Sequence, residues 1–272
     1  MMKKTVGFLG TGNIANAIMG GMVNSKTFSG DEIGVFDLDN EKAQQCRTEF
    51  GTQVFLSAKE LVENCSAVVF AVKPNVIPVV LKELDEVLCK ENTLIISVAA
   101  GTEIKSIEAC LSKDLRVVRV MPNINAKVSE AISAICGNDI ADECDIEFTE
   151  RIFNSAGKTV RLEEGLFSAF CALAGSAPAF AYIYIDAIAR AAVKSGAYKS
   201  EALKITSELM LEKTKEIFTN GEDIEAGIKS LKSDDGVASK VVTALETNGF
   251  YEAIENAVTK TVEKDIKMKN KK

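Results

Sequence analysis

Histidine is absent from the 272 residues. That excludes a histidine general base, a Ser-His or Cys-His nucleophile and a histidine-ligated metal. Carboxylates, hydroxyls, lysines, the backbone or a bound cofactor must supply any chemistry. The seven cysteines (Cys46, Cys65, Cys89, Cys110, Cys136, Cys144 and Cys171) contain no C-x-x-C pair. An odd, scattered set is neither a disulfide framework nor a zinc site, and it reads as small hydrophobes in a reducing compartment. No metal site is expected. Positive charge is also scarce, with 32 Lys+Arg against 39 Asp+Glu and a net charge of −7. No basic face is offered to a nucleic acid. The basic tail from Lys267 to Lys272 reads as a solvated end.

Long apolar runs are lacking too. The stretch from Phe167 to Ile185 is interrupted by Gly175, Ser176 and Pro178 and closes on Asp186 and Arg190. It falls short of a clean membrane span of ~20 residues and reads as a buried helix. The first residues, Met1-Met2-Lys3-Lys4, imitate a signal peptide's positive start, but Gly7, Gly10 and Gly12 break the apolar stretch that follows and no cleavage site is evident. A cytoplasmic protein with no membrane or nucleic-acid partner is expected. With 47% hydrophobic and 26% charged residues, the chain has the balance of a globular protein with a real core. At ~150 residues per domain, the length suggests one large domain or two unequal ones.

What is present divides near residue 162. Up to that point short β-branched runs alternate with helical patterns. Strands are expected at 5–9, 33–36, 67–71, 94–98, 116–120, 131–135 and 159–162, and helices at 13–23, 41–50 and 146–153. Runs such as Ala67-Val68-Val69-Phe70-Ala71 and Leu94-Ile95-Ile96-Ser97-Val98 are apolar throughout, as in parallel strands covered on both faces. This alternation implies βαβ crossovers and a doubly wound sheet over residues 1–162. Residues 163–272 are all helical, with helices expected over 164–174, 178–196, 199–219, 222–232, 236–247 and 249–268. Ala179, Ile183, Ala187, Ile188 and Ala191 form a stripe of small and branched residues at helical spacing. A half this apolar would expose large faces if it stood alone, so packing between subunits is expected alongside packing within the chain.

Gly10-Thr11-Gly12-Asn13-Ile14-Ala15 lies between the first strand and the first helix and fits G-x-G-x-x-A. The first glycine permits a tight turn, the second lets the backbone approach a pyrophosphate, and the small third residue packs helix on strand. Helix N-terminal amides then face the phosphate charge. Dinucleotide binding follows from this motif in this place. Asp37 ends the second strand, somewhat beyond the usual spacing of ~20 residues. A carboxylate there accepts bonds from an adenosine ribose and repels a 2′-phosphate, and Leu38 offers that phosphate no charge. This leans towards NADH over NADPH; the plain alternative is an aspartate that begins the turn before Asp39-Asn40. Ala71-Val72-Lys73-Pro74 leaves the strand at 67–71 on the edge where ligands gather. There the alternative is a helix begun by Pro74, with Lys73 solvated.

Four segments in order, Val72-Lys73-Pro74, Ser97-Val98-Ala99-Ala100-Gly101, Met121-Pro122-Asn123 and Ala174-Gly175-Ser176-Ala177-Pro178-Ala179-Phe180, make the chain similar to the pyrroline-5-carboxylate reductase family from Val6 to about Val262. The resemblance implies an N-terminal Rossmann domain and a C-terminal helical dimerisation domain. It also implies NADPH or NADH as cofactor, a small cyclic imino acid as substrate, and a homodimer, often five dimers in a decameric ring. Gly10, Thr11, Gly12, Asn13 and Ile14 match the family's pyrophosphate loop, and Ala71, Val72, Lys73 and Pro74 its second cofactor loop. Ala99, Ala100 and Gly101 match the nicotinamide end; Met121, Pro122 and Asn123 match the floor of the site, near which Ser176 is also assigned to substrate. Asp37-Leu38 stands where many members have Asn-Arg, and Ala58 replaces a common asparagine.

Leu245-Glu246-Thr247-Asn248-Gly249-Phe250 aligns with the family's Leu-Glu-x-x-Gly-Phe and places its substrate loop at Ser233-Asp234-Asp235-Gly236-Val237-Ala238. Ser233 and Gly236 are kept. Asp234 and Asp235 replace Pro and Gly, and are read as facing solvent. Ala238 replaces a threonine that bonds the substrate's ring nitrogen; Ser239 follows it, either as a substitute hydroxyl or as a polar residue in a helix's first turn. The resemblance implies reduction of 1-pyrroline-5-carboxylate to L-proline, the last step of proline synthesis. No catalytic side chain is named. Two alternatives remain: a reductase of another cyclic imino acid, and a dinucleotide-binding regulatory protein without turnover.

Overall fold

The computed structural model describes residues 4–123, 131–233 and 236–269. The first part is an α/β domain. In chain order it runs β1 (Lys4–Leu9), α1 (Asn13–Asn24), β2 (Ile33–Phe36), α2 (Asn40–Phe50), β3 (Gln53–Val54), α3 (Ala58–Asn64), β4 (Cys65–Phe70) and α4 (Ile77–Glu91). It continues with β5 (Leu94–Ser97), α5 (Ile104–Glu108), β6 (Val117–Pro122), β7 (Ala131–Gly137), α6 (Glu143–Asn154) and β8 (Gly157–Arg161). The strands form one sheet in the order β3-β2-β1-β4-β5-β6-β7-β8. All pairs are parallel except β6 with β7. The doubly wound sheet expected from the alternation is therefore present, with a turned-over edge.

Side-chain alternation divides the strands between two cores. Val6, Phe8, Val69, Ile96, Val118 and Val120 pack with α1, α2 and α6. Leu9, Val68, Phe70, Ile95 and Val117 pack with α3, α4 and α5. Burial on both faces explains the continuous apolar runs, and each fully buried Phe, Ile or Val is worth about 1.5–3 kcal/mol relative to exposure. Local signals fix the helix ends. Asp39 caps α2 by accepting from the Glu41 N–H, and Gly51, with φ +75°, ends it. Asp142 and Asp145 form a capping box at α6.

The helical part holds α7 (Phe167–Lys194), α8 (Lys199–Asn220), α9 (Ile224–Ser233), α10 (Val237–Thr247) and α11 (Phe250–Lys269). By contact density the chain resolves into one unit reaching Ala174, joined by the segment from Lys264, and another over Gly175–Glu263. In the second unit Lys232 bridges to Glu246 at 2.8 Å and links α9 to α10. Tyr184 and Phe250 have ring centroids 6.5 Å apart.

Two expectations about α7 need correction. The break expected at 175–177 does not occur, and α7 runs unbroken through Pro178. A proline forfeits the bond to the carbonyl four residues back and crowds that carbonyl, but the alanines at 172, 174, 177, 179 and 181 sustain the helix on both sides. Nor is the helix buried within its own chain. Leu173, Tyr182 and Ile183 are exposed, because few elements of the same chain cover them. Glu164–Lys194 is long and apolar enough to cross a membrane by length and composition. The apolar faces expected of the helical half are present, with Ile205, Leu209, Phe218 and Leu231 also exposed.

Candidate active site

Because β1, β2, β4, β5 and β6 are parallel, the segments that follow them emerge at one edge of the sheet. Strand order reverses at β1, with β2 on one side and β4 on the other. That is the switch point where such sheets open a crevice for ligands. Gly10 lies at its centre. Its N–H donates to the Phe36 carbonyl at 2.8 Å, and the Ala71 N–H donates to the Leu9 carbonyl at 2.9 Å. Gly10 has φ +96°, and a Cβ there would stand 2.7 Å from the Ala71 carbonyl oxygen. Only glycine fits.

Gly12 is different. It precedes α1 in an extended conformation, and a Cβ added there would meet nothing within 4 Å. Its backbone borders open space beside the start of α1, where the first amides of a helix have no intrahelical acceptor. Gly12, Asn13 and Ile14 are all exposed. This open cradle at a helix N-terminus fits a dinucleotide pyrophosphate.

Thr11, between the two glycines, is buried. Its N–H and its hydroxyl both donate to Asp37 Oδ2, at 2.8 and 2.9 Å. Asp37 Oδ1 accepts from the Asp39 N–H at 2.9 Å. Asp37 thus stands at the end of β2 and begins a turn, as the plain alternative had it. Leu38 is 93% exposed and brings no charge to that corner. Asn16, which the motif did not single out, supports the turn from below. Its amide donates to the carbonyls of Thr11 at 2.7 Å and Gly12 at 3.2 Å, and its Oδ1 accepts from the Cys46 thiol at 3.2 Å. The available signal was a polar residue one turn into α1.

Ala71, Val72, Lys73 and Pro74 form the loop after β4. Lys73 is exposed, and the Val76 N–H closes a turn onto its carbonyl at 2.9 Å. The helix does not begin at Pro74 as the plain alternative had it. It begins at Ile77 with Pro78 in its first turn, a position where a missing N–H costs nothing. After β5, Ala99 is buried, Ala100 is exposed and Gly101 has φ +67°. Met121 and Pro122 end β6, paired with Ala134 and Ser133 of β7, and Asn123 follows; all three are half-buried. The sheet edge therefore gathers every residue assigned to the cofactor, together with Met121, Pro122 and Asn123.

The other residues that the resemblance assigns to substrate lie in the second unit. Ser176 is within α7, half-buried. Ser233 closes α9, Gly236 caps α10, and Val237 and Ala238 are exposed in its first turn. Asp234 and Asp235 lie outside the described residues. No group of three or more Cys, Asp or Glu able to hold a metal occurs among the described residues.

Residues 164–268 match the family model for pyrroline-5-carboxylate reductase dimerisation, and residues 5–101 match that for NADP oxidoreductase, coenzyme F420-dependent. The chain is 30% identical over 267 residues to the pyrroline-5-carboxylate reductase of Escherichia coli (strain K12), covering 98% of this chain and 99% of that one. It is 34% identical to that of Aquifex aeolicus (strain VF5), covering 97% of each. A solved pyrroline-5-carboxylate reductase from Coxiella burnetii superimposes with a TM-score of 0.86 at 25% identity, covering 97% of this chain and 98% of that one.

Proposed function

The chain belongs to the pyrroline-5-carboxylate reductase family, and from that premise we propose how its residues reduce 1-pyrroline-5-carboxylate to L-proline with NAD(P)H. The observation that carries the reading is the glycine turn of β1. Gly10 is wedged between the Phe36 and Ala71 carbonyls while Gly12 borders open space at the start of α1. The backbone of Gly10, Gly12, Asn13 and Ile14 holds the pyrophosphate, and Thr11 acts from beneath by fixing Asp37. Asp37 takes the adenosine ribose, since a carboxylate with two oxygens and about four lone pairs keeps acceptor capacity after the bonds it already makes. Ala71, Val72, Lys73 and Pro74 line the middle of the crevice, and Ala99, Ala100 and Gly101 the nicotinamide end.

The reduced nicotinamide, when bound, supplies the hydride. The residues of the chain bind and orient. Met121, Pro122 and Asn123 form the floor of the site. Ser176, Ser233, Gly236, Val237 and Ala238 receive the imino acid, and the first amides of α10 face its carboxylate. A cyclic imine can take its proton from water before it binds, so no histidine is needed to deliver one. Positioning and exclusion of water supply the acceleration.

The chain works as a soluble, cytoplasmic homodimer, with five dimers in a decamer as the larger assembly. The exposed apolar side of α7 supports subunit pairing over a membrane span, because the helix falls within the residues that match the dimerisation model. Ala238 supports a second reading, a reductase of a larger cyclic imino acid. Comparing kcat/KM for five-membered and six-membered cyclic imino acids with each coenzyme tests both. A ratio favouring the five-membered ring supports the first reading, and the reverse supports the second.

A further inference from the structure

Arg119 is the largest fully buried side chain among the described residues. It stands on β6 opposite Ser97 of β5 and Cys136 of β7. A buried guanidinium persists only when it is paired. One nitrogen donates to Glu164 Oε1 at 2.8 Å, and the guanidinium carbon lies 4.7 Å from the ring centroid of Phe167. Glu164 opens the single 3₁₀ turn that leads into α7. The same Oε1 accepts a second bond, from the Ile104 N–H, also at 2.8 Å.

Ile104 is the first residue of α5, and the residue before it, Glu103, gives the helix no side-chain cap. The Ile104 amide, one of the first four in the helix with no intrahelical acceptor, is held by a carboxylate 60 residues further along the chain. Between β5 and α5 lies the loop 99–103. One end is set by the Val98 N–H on the Phe70 carbonyl, and the loop is folded by the Thr102 N–H on the Ala99 carbonyl, each at 3.3 Å. Its other end is set by Glu164.

We propose that Glu164 is a positioning residue for the loop 99–103, with Arg119 as the counter-ion that anchors it to the sheet. This rests on the functional reading above, in which Ala99, Ala100 and Gly101 take the nicotinamide end of the coenzyme. The loop then keeps one placement because its far end is tied to a charge locked inside the sheet. The bond to Ile104 does the positioning, and the ion pair holds Glu164 in place.

Glu164→Gln and Glu164→Ala in the full chain separate the two. Glutamine keeps a carbonyl oxygen for the Ile104 N–H but loses the charge; alanine loses both. Both variants melt at lower temperature, because Arg119 loses its counter-charge. ADP-ribose, which lacks the nicotinamide ring, binds each variant within about twofold of wild type. Affinity for NADH and kcat stay within about threefold of wild type in Glu164→Gln, and both fall about tenfold in Glu164→Ala. Should the alanine variant fail to fold, Ile104→Pro removes the donor at a helix position that tolerates proline, with Ile104→Val as the control for the core packing lost with the side chain. Only the proline variant reproduces the loss of NADH relative to ADP-ribose.

An unchanged ratio of NADH to ADP-ribose affinity in both Glu164→Ala and Ile104→Pro overturns the proposal, as does an equal loss in the glutamine and alanine variants. Wild-type protein that binds NADH but never turns over pyrroline-5-carboxylate refutes the functional reading instead, and leaves the binding comparison to decide on Glu164.

Discussion

Thr11 and Asp37 are joined twice, by the threonine's N–H and by its hydroxyl, both donating to one carboxylate oxygen at 2.8 and 2.9 Å. The acid at the end of β2 is thereby locked to the turn that follows β1. Its negative charge stays fixed in the corner that an adenosine ribose occupies in such folds.

Coenzyme choice follows from that lock. kcat/KM with NADH is expected to equal or exceed that with NADPH, because Asp37 repels a 2′-phosphate and Leu38 offers it no cation. Asp37→Ala shifts the ratio towards NADPH by about tenfold, equivalent to ~1.4 kcal/mol. A strong NADPH preference that survives Asp37→Ala would show that this residue does not read the ribose.

Ala238 sits in the first turn of α10, where the family resemblance implies a threonine bonding the substrate's ring nitrogen. A hydrogen bond is worth about 0.5–1.5 kcal/mol, or up to ~3 kcal/mol when charge-assisted. Ala238→Thr should therefore raise kcat/KM for pyrroline-5-carboxylate by roughly twofold to a hundredfold. Ser239→Ala lowers it only where Ser239 stands in for the missing hydroxyl. A folded Ala238→Thr protein with lower activity would favour a different cyclic imine.

The exposed apolar residues of α7 predict the assembly. At micromolar concentration the chain should sediment at no less than twice its mass. Ile183→Asp, placed on the small-residue stripe, removes about 1.5–3 kcal/mol of burial per subunit and adds a charge, and should yield monomer with a lower Tm. Wild-type protein that sediments as a monomer would contradict this.

Cys136 provides a chemical probe of the pair between buried Arg119 and half-buried Glu164. Burial, with the nearby Glu164 charge, pushes its thiol up to about 12, so at pH 8 roughly one molecule in ten thousand is thiolate. A maleimide at pH 8 should label the exposed Cys144 and leave Cys136 unmodified. Glu164→Gln removes a negative charge while Arg119 stays positive. That lowers the thiol's pKa and speeds labelling of Cys136. Equal labelling of Cys136 and Cys144 in the wild type would contradict this picture.

Much of the first domain was legible because its strands are apolar throughout and its helices have clear ends. The run from Leu94 to Val98 marks β5 to within a residue, and Gly10 and Gly12 mark the turn. What stayed hidden was mostly short or distant, although α3 (Ala58–Asn64) and the longer α4 (Ile77–Glu91) were not among the expected helices either. β3 has two residues and α5 has five, too few to display a period, and in α4 the effective proline is Pro78 rather than Pro74. The bonds of Asp37 to Thr11, of Asn16 to the turn and of Glu164 to Ile104 join residues that only strand pairing or chain return brings together. Exposure of α7 was half legible. The stripe from Ala179 to Ala191 pointed to packing between subunits, while the stretch from Phe167 read as buried, because a helix that packs on a second copy has the same composition as one buried in its own chain.

The most direct measurement is oxidation of NADH or NADPH by the purified, folded, coenzyme-saturated protein with and without pyrroline-5-carboxylate, with proline quantified at the end. The account predicts oxidation only when the imine is present, with one proline formed per coenzyme oxidised. Coenzyme binding without turnover of pyrroline-5-carboxylate above background would contradict it.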